Sequence, residues 1–258
     1  MVKFLIRNKA FRKRVIFYLK HHFFNELEYS IPVKSGYWAQ LFEQDSFDSF
    51  SEIFVQDEYL SYLPNEPISR LVDIGANHGF FSLWLQSLQP NVPLNSCLIE
   101  PSKICRNSLK NLSKDPMIAG RFNYIAKAIG NPSSKVTRFY DRPYMAGSTL
   151  KNQLHESFEE VEILEQSDIS NCMPPPYDLV KCDIEGAEWE LLNHYESLIS
   201  QTKYILLEWH SWHNGGGGLQ EIINKITNLG FNIVKQSDQN PAVGIKGTVG
   251  ILLASKAK

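Results

Sequence analysis

Three short runs carry the residue types that could do chemistry. The first, Leu71-Val72-Asp73-Ile74-Gly75-Ala76-Asn77-His78-Gly79-Phe80, is an apolar stretch that ends in an acid and passes into a glycine turn. Gly75 and Gly79 allow tight turning and close backbone approach, and the free N–H groups where a helix would begin can bind a carboxylate. Asp73 can answer an ammonium or fix the turn. The second run, Cys97-Leu98-Ile99-Glu100-Pro101-Ser102, delivers Glu100, whose carboxylate can accept hydrogen bonds from both hydroxyls of a ribose. Downstream, Ala126-Lys127-Ala128-Ile129-Gly130 supplies small residues that leave room for an adenine ring. The third run, Asp178 to Glu188, is again an apolar stretch that ends in a dense set of charges. Asp183 and Glu185 could stabilise positive charge or accept a hydroxyl proton there. Equally, Asp183 could cap a helix while Glu185 and Glu188 answer its dipole.

Further on, Glu208-Trp209-His210-Ser211-Trp212-His213 brings two imidazoles to the end of another apolar stretch. His210 is the best general-base candidate, because an imidazole titrates near neutrality. Glu208, His210, His213 and Asp183 could instead hold a divalent metal, but no ligand spacing is diagnostic and no metal is expected. A nicotinamide cofactor fits less well. Gly75-x-x-x-Gly79 lacks the middle glycine that lets a pyrophosphate approach.

These runs need a scaffold that brings strand ends together. After Pro67, short apolar runs alternate with helical stretches. The predicted strands are Arg70 to Ile74, Ser96 to Glu100, Tyr124 to Ile129, Leu179 to Asp183, Tyr204 to Glu208, Phe231 to Lys235 and Thr248 to Leu253. Helices are predicted near Phe80 to Leu88, Ile104 to Leu112, Glu188 to Leu198 and Leu219 to Leu229, and an extra strand at Val136 to Tyr140. That spacing is the signature of βαβ units: an α/β, doubly wound, largely parallel seven-stranded sheet over residues 67–258. Residues 1–66 form an amino-terminal extension, with a basic helix followed by an acidic stretch dense in aromatics that could cap a substrate or simply pack as core.

Bulk properties exclude some classes. A net charge of −2 offers no basic field for nucleic acid, so no nucleic-acid partner is expected. Four cysteines without metal or disulfide spacing fit a reducing, cytoplasmic setting. Residues 1–22 interleave Lys and Arg with apolar side chains, which could give a weak peripheral contact with an anionic membrane.

As a set, Val72-Asp73-Ile74-Gly75-Ala76-Asn77-x-Gly79, Glu100-Pro101, Ala128-Ile129-Gly130 and Val180-Lys181-x-Asp183-Ile184-Glu185-Gly186-Ala187-Glu188 resemble the FkbM family of methyltransferases. The resemblance implies a Rossmann-like fold, S-adenosylmethionine as cofactor, and O-methylation of a hydroxyl on a sugar, glycan or specialised metabolite. By that similarity Asp73, Gly75, Ala76, Asn77, Gly79, Glu100, Pro101, Ser102 and Ala128 would hold the cofactor. Asp183 and Glu185 would stand on its substrate side, where His210, the general-base candidate, would be oriented by one of them. The rival class is a protein that keeps the cofactor fold without catalysis, attached to a membrane by its basic amino terminus.

Overall fold

The computed structural model describes residues 29–33, 37–41, 44–118, 120–140, 158–211, 218–241 and 247–257. The basic segment 1–22, His213 and most of the glycine run after it lie outside the described residues.

The central sheet runs in the order β10 (Phe231–Gln236), β12 (Thr248–Lys256), β9 (Thr202–His210), β8 (Tyr177–Cys182), β3 (Arg70–Ile74), β4 (Asn95–Ile99), β5 (Phe122–Ile125). Strands β9, β8, β3, β4 and β5 are mutually parallel, and β12 is antiparallel to both of its neighbours. A two-residue strand, β11 (Asn240–Pro241), pairs with the margin of β12. The cause of the parallel core is legible in each strand. Leu71-Val72-Asp73-Ile74 and Leu179-Val180-Lys181-Cys182 are buried throughout, as strands covered on both faces must be. Their two-residue alternation splits the interior: Leu71, Leu98, Leu179 and Leu206 pack on one face, and Val72, Cys97, Val180, Ile205 and Leu207 on the other.

Helices fill both faces. Helix α2 (Phe80–Leu88) is buried from Phe80 to Ser87, so it needs cover on its outer side as well as on the sheet side. The extension supplies that cover. There, β1 (Tyr29–Pro32) and β2 (Trp38–Leu41) form an antiparallel ribbon. Helix α1 (Gln44–Phe50) follows and runs into a π-helical turn over Ser51–Val55. Phe50 meets the Phe80 ring edge-on at 5.6 Å and Tyr59 meets Phe81 at 5.3 Å, while Trp84 donates to Asp57. The extension therefore shares one hydrophobic core with the sheet, and each fully buried ring such as Phe47 contributes about 2 kcal/mol. Among the described residues its aromatics are mostly core, with Trp38 exposed.

Helix α3 (Lys103–Lys114) begins at Ser102, whose Oγ accepts from the Ile104 N–H, and buries Cys105, Leu109 and Leu112 along one stripe. Between β5 and β8 stand β6 (Val136–Phe139), paired antiparallel with β7 (Glu159–Glu162) in a separate ribbon, and helix α4 (Gln166–Cys172). The stretch predicted as one helix from Glu188 to Leu198 is two, α5 (Glu188–His194) and α6 (Glu196–Ser200), broken at Tyr195. Tyr195 leaves helical geometry and its hydroxyl donates to the Leu164 carbonyl at 2.8 Å. The predicted strand end at Ile129 is also corrected, since β5 stops at Ile125. Ala128 bridges Ile163 instead. Helix α7 (Leu219–Asn228) lies against β10 and buries Leu219, Ile222 and Ile226 in the core that holds Ile205 and Leu207.

Candidate functional site

A cavity opens at the carboxyl ends of β3, β4 and β8, where open parallel sheets bind their ligands. The turn after β3 forms one wall with Gly75, Ala76 and Asn77, and the end of β4 forms the next with Glu100, Pro101 and Ser102. Ala128, Asp183 and Glu185 also line it.

Gly75 sits at φ 72°, and a Cβ built there would lie 1.6 Å from the Asp183 carbonyl oxygen, so the turn and the end of β8 can meet only through glycine. Asn77 adopts φ 50°, a conformation that asparagine tolerates better than most residues. Glu100 ties the walls together. Its Oε2 accepts the Asn77 N–H at 3.0 Å and its Oε1 accepts the Ser102 N–H at 2.9 Å. A carboxylate lining the cavity has the acceptor chemistry that a diol requires.

Two residues predicted to touch the cofactor stand behind the wall. Asp73 is fully buried, its Oδ2 accepting from Ser82 at 2.6 Å, and burial raises its pKa. The bond anchors the first turn of α2 to β3, which is the turn-fixing role. Gly79, at φ 78°, is a packing glycine: a Cβ there would lie 2.4 Å from Leu112 Cδ2.

The opposite wall is a charge network. Lys181, buried in β8 between Val180 and Cys182, donates to the Gly75 carbonyl at 3.1 Å and to Asp183 Oδ2 at 3.2 Å. Burial disfavours its charge, but Asp183, Asp73 and Glu208 outweigh that and raise its pKa, so it stays an ammonium. Asp183 is correspondingly lowered: burial opposes its charge, and the adjacent Lys181 dominates. The Tyr59 hydroxyl lies 2.5 Å from Glu208 Oε2 and 3.2 Å from Asp183 Oδ2. Glu185 stands at φ 53°, with its carboxyl pushed up to about 8, chiefly by burial. Such backbone strain clusters at functional sites.

His210 corrects an expectation. It is 3% exposed, lies behind Asp183 and Glu185 rather than on the cavity wall, and its Nδ1 is 2.8 Å from Glu188 Oε1. Burial alone would lower its pKa, but Glu188, Glu185 and Glu208 raise it to about 10. Standing off the cavity wall, it is not the group that would meet an acceptor's hydroxyl. Asp183, Glu185 and His210 do converge, with ligand atoms within 4.8 Å of one another.

Sequence reasoning placed Tyr59 only among the aromatics of the extension, as cap or core, and assigned no role of its own to Lys181. A lysine inside Leu179-Val180-Lys181-Cys182 was a usable signal, because a buried ammonium demands paired carboxylates. Tyr59 carried none, since nothing local separates it from the other aromatics of the extension.

Residues 73–233 match the family model described as Methyltransferase FkbM domain. Methyltransferase sdnD of Sordaria araneosa is 27% identical over 176 residues, covering 55% of this chain and 66% of its own length. The crystal structure of the methyltransferase FkbM from Methylobacillus flagellatus KT superposes with a TM-score of 0.51 at 18% identity, over 79% of this chain and 47% of its own. The chain thus spans just under two thirds of the first relative and about half of the second. The structural likeness bears on the fold, in agreement with the Rossmann-like reading.

Proposed function

The chain belongs to the FkbM methyltransferase family, whose cofactor is S-adenosylmethionine, and from that premise we propose that it methylates a hydroxyl oxygen of a small-molecule or glycan acceptor. The observation that carries the reading is the shared cavity. It has a ribose-competent carboxylate, Glu100, on one wall and two further carboxylates, Asp183 and Glu185, on the other.

The donor chemistry of the first wall fits the cofactor. Glu100 would accept the ribose hydroxyls, the glycine-bearing turn at Gly75-Ala76-Asn77 would approach the amino-acid end, and Ala128 would leave room for the base. Bound there, S-adenosylmethionine supplies a methyl group on a sulfonium. Asp183, kept ionised by Lys181, stabilises positive charge on that side of the cavity. Glu185 is the group placed to take the acceptor's proton. It lines the cavity, and its ionised carboxylate would be the acceptor of that proton. Tyr59 holds Asp183 and Glu208 in place from above. The rest of the acceleration comes from fixing two reactants along one line.

Calorimetric titration with S-adenosylmethionine, S-adenosylhomocysteine and NAD, followed by transfer of labelled methyl to a panel of polyhydroxylated acceptors, tests the reading. Saturable binding of the first two and label on an acceptor oxygen are the expected results. Failure of the folded chain to bind either adenosyl ligand would overturn it.

A further inference from the structure

Around His210 Nε2 three carboxylate oxygens gather: Glu185 Oε2 at 3.7 Å, Glu208 Oε1 at 3.9 Å and Asp183 Oδ1 at 4.0 Å. They come from separate segments, the turn after β8 and the end of β9, so no local sequence preference accounts for their meeting. The ring is oriented from its other side by a residue outside this group. Glu188, 1% exposed, holds His210 Nδ1 at 2.8 Å through Oε1, the same oxygen that accepts the Gly186 N–H. Its Oε2 is buried without a hydrogen-bond partner. A carboxylate on one imidazole nitrogen, with the other nitrogen facing acidic oxygens, is how proteins prepare histidine to bind a divalent ion: the acid fixes tautomer and ring orientation.

We propose that Asp183, Glu185 and His210 bind one divalent cation, with Glu208 completing the protein ligands and Glu188 as the positioning residue. Size agrees. Ligands about 2.1 Å from one ion stand roughly 3.0 Å apart at a right angle and roughly 4.2 Å apart when opposed, so closing on an ion from separations of 3.7 to 4.0 Å at His210 Nε2 takes side-chain shifts of up to about 1 Å. Charge agrees as well: four carboxylates, Asp183, Glu185, Glu188 and Glu208, gather here, and among the described residues the lysine paired with them is Lys181, on Asp183's other oxygen. Several carboxylates with one imidazole suit Mn²⁺ or Mg²⁺ better than a thiolate-seeking ion. Since Asp183 and Glu185 also line the cavity, a bound cation would meet the acceptor oxygen and acidify its hydroxyl. That consequence rests on the methyltransferase reading, whereas cation binding does not.

The test uses the full chain, stripped with chelator and titrated with Mn²⁺ by calorimetry, with pulsed electron paramagnetic resonance to detect a histidine nitrogen on the metal. Wild type should bind a single Mn²⁺ with nitrogen coupling. His210→Gln should lose that coupling, and Glu188→Gln should weaken binding about 10- to 100-fold. Asp183→Asn should weaken it at least as much, while Glu196→Gln on α6 should match wild type. Circular dichroism checks each fold; if Asp183→Asn does not fold, Glu188→Gln and the wild-type nitrogen signal decide. No saturable binding by folded wild type, binding without nitrogen coupling, or unchanged affinity in Glu188→Gln would overturn the proposal. Affinity for S-adenosylhomocysteine on the same metal-free samples separates this failure from failure of the cofactor reading.

Discussion

Glu100→Gln tests the cofactor wall at its most economical point. In the native chain the two carboxylate oxygens accept from the Asn77 N–H at 3.0 Å and from the Ser102 N–H at 2.9 Å, and Glu100 and Ser102 are both buried. Glutamine keeps the shape and one acceptor oxygen. Its amide NH₂ must then face a backbone N–H, so one buried donor loses its partner and the other loses a charged acceptor. A buried donor left unpaired costs about 1–3 kcal/mol, which should appear as a lower urea midpoint with an unchanged denaturant slope. The same exchange removes the charge that would accept the ribose diol. Charge-assisted bonds are worth about 1.5–3 kcal/mol, which converts to roughly a 10- to 100-fold loss of affinity for S-adenosylhomocysteine. Calorimetry on protein shown to be folded reads this directly. A variant that loses stability but binds within about twofold of wild type would refute the reasoning, because Glu100 would then only tie two turns together.

Gly75→Ala should be more damaging than any surface substitution. Its Cβ would lie 1.6 Å from the Asp183 carbonyl oxygen at φ 72°, so we expect loss of several kcal/mol or no folded protein, read by chemical denaturation. Tyr59→Phe removes the hydroxyl between Asp183 and Glu208; stability should fall by about 1–3 kcal/mol, with affinity for S-adenosylhomocysteine within about twofold of wild type in calorimetry. Glu52 provides the pH test. Burial first, then Glu58, Asp183 and Asp48, raise its carboxyl to about 8 against the opposing pull of Lys181. A carboxyl raised on folding contributes stability that is full below the unfolded value near 4.5 and is lost as pH rises through about 8. Glu52→Gln should therefore gain on wild type as pH rises from 5 to 8, by about 1–2 kcal/mol after solvent screening, in urea melts of chelator-treated protein. A difference independent of pH would contradict the assigned burial.

Much of the fold was legible because its determinants are local. Strand β3 and helix α2 were predicted at their observed bounds, Arg70–Ile74 and Phe80–Leu88, since a short, mainly apolar strand, a glycine turn and an apolar helical stretch follow one another without ambiguity. The predicted helix over Glu188 to Leu198 failed at Tyr195 because a distant partner, the Leu164 carbonyl, competes for that residue. The antiparallel placement of β12 between β9 and β10 had no local signal either, since strand order is settled by which edges remain to be paired.

The site divides in the same way. Glu100, Asp183 and Glu185 were readable as candidates because an acid just past the end of an apolar parallel strand emerges at the ligand-binding edge. That rule says nothing about the direction of a side chain one or two positions away. Asp73 turns inward to Ser82, and His210 turns to Glu188, although both lie at strand ends. Sequence alone thus determined the βαβ pattern, the glycine turn and the acids at the strand ends, all set by short-range sterics and periodicity. Only the tertiary structure decided that Tyr59 reaches Glu208 across 149 residues and that an imidazole stands among carboxylates from another segment. Burial and Coulomb energy depend on distances that the chain acquires only when it is folded.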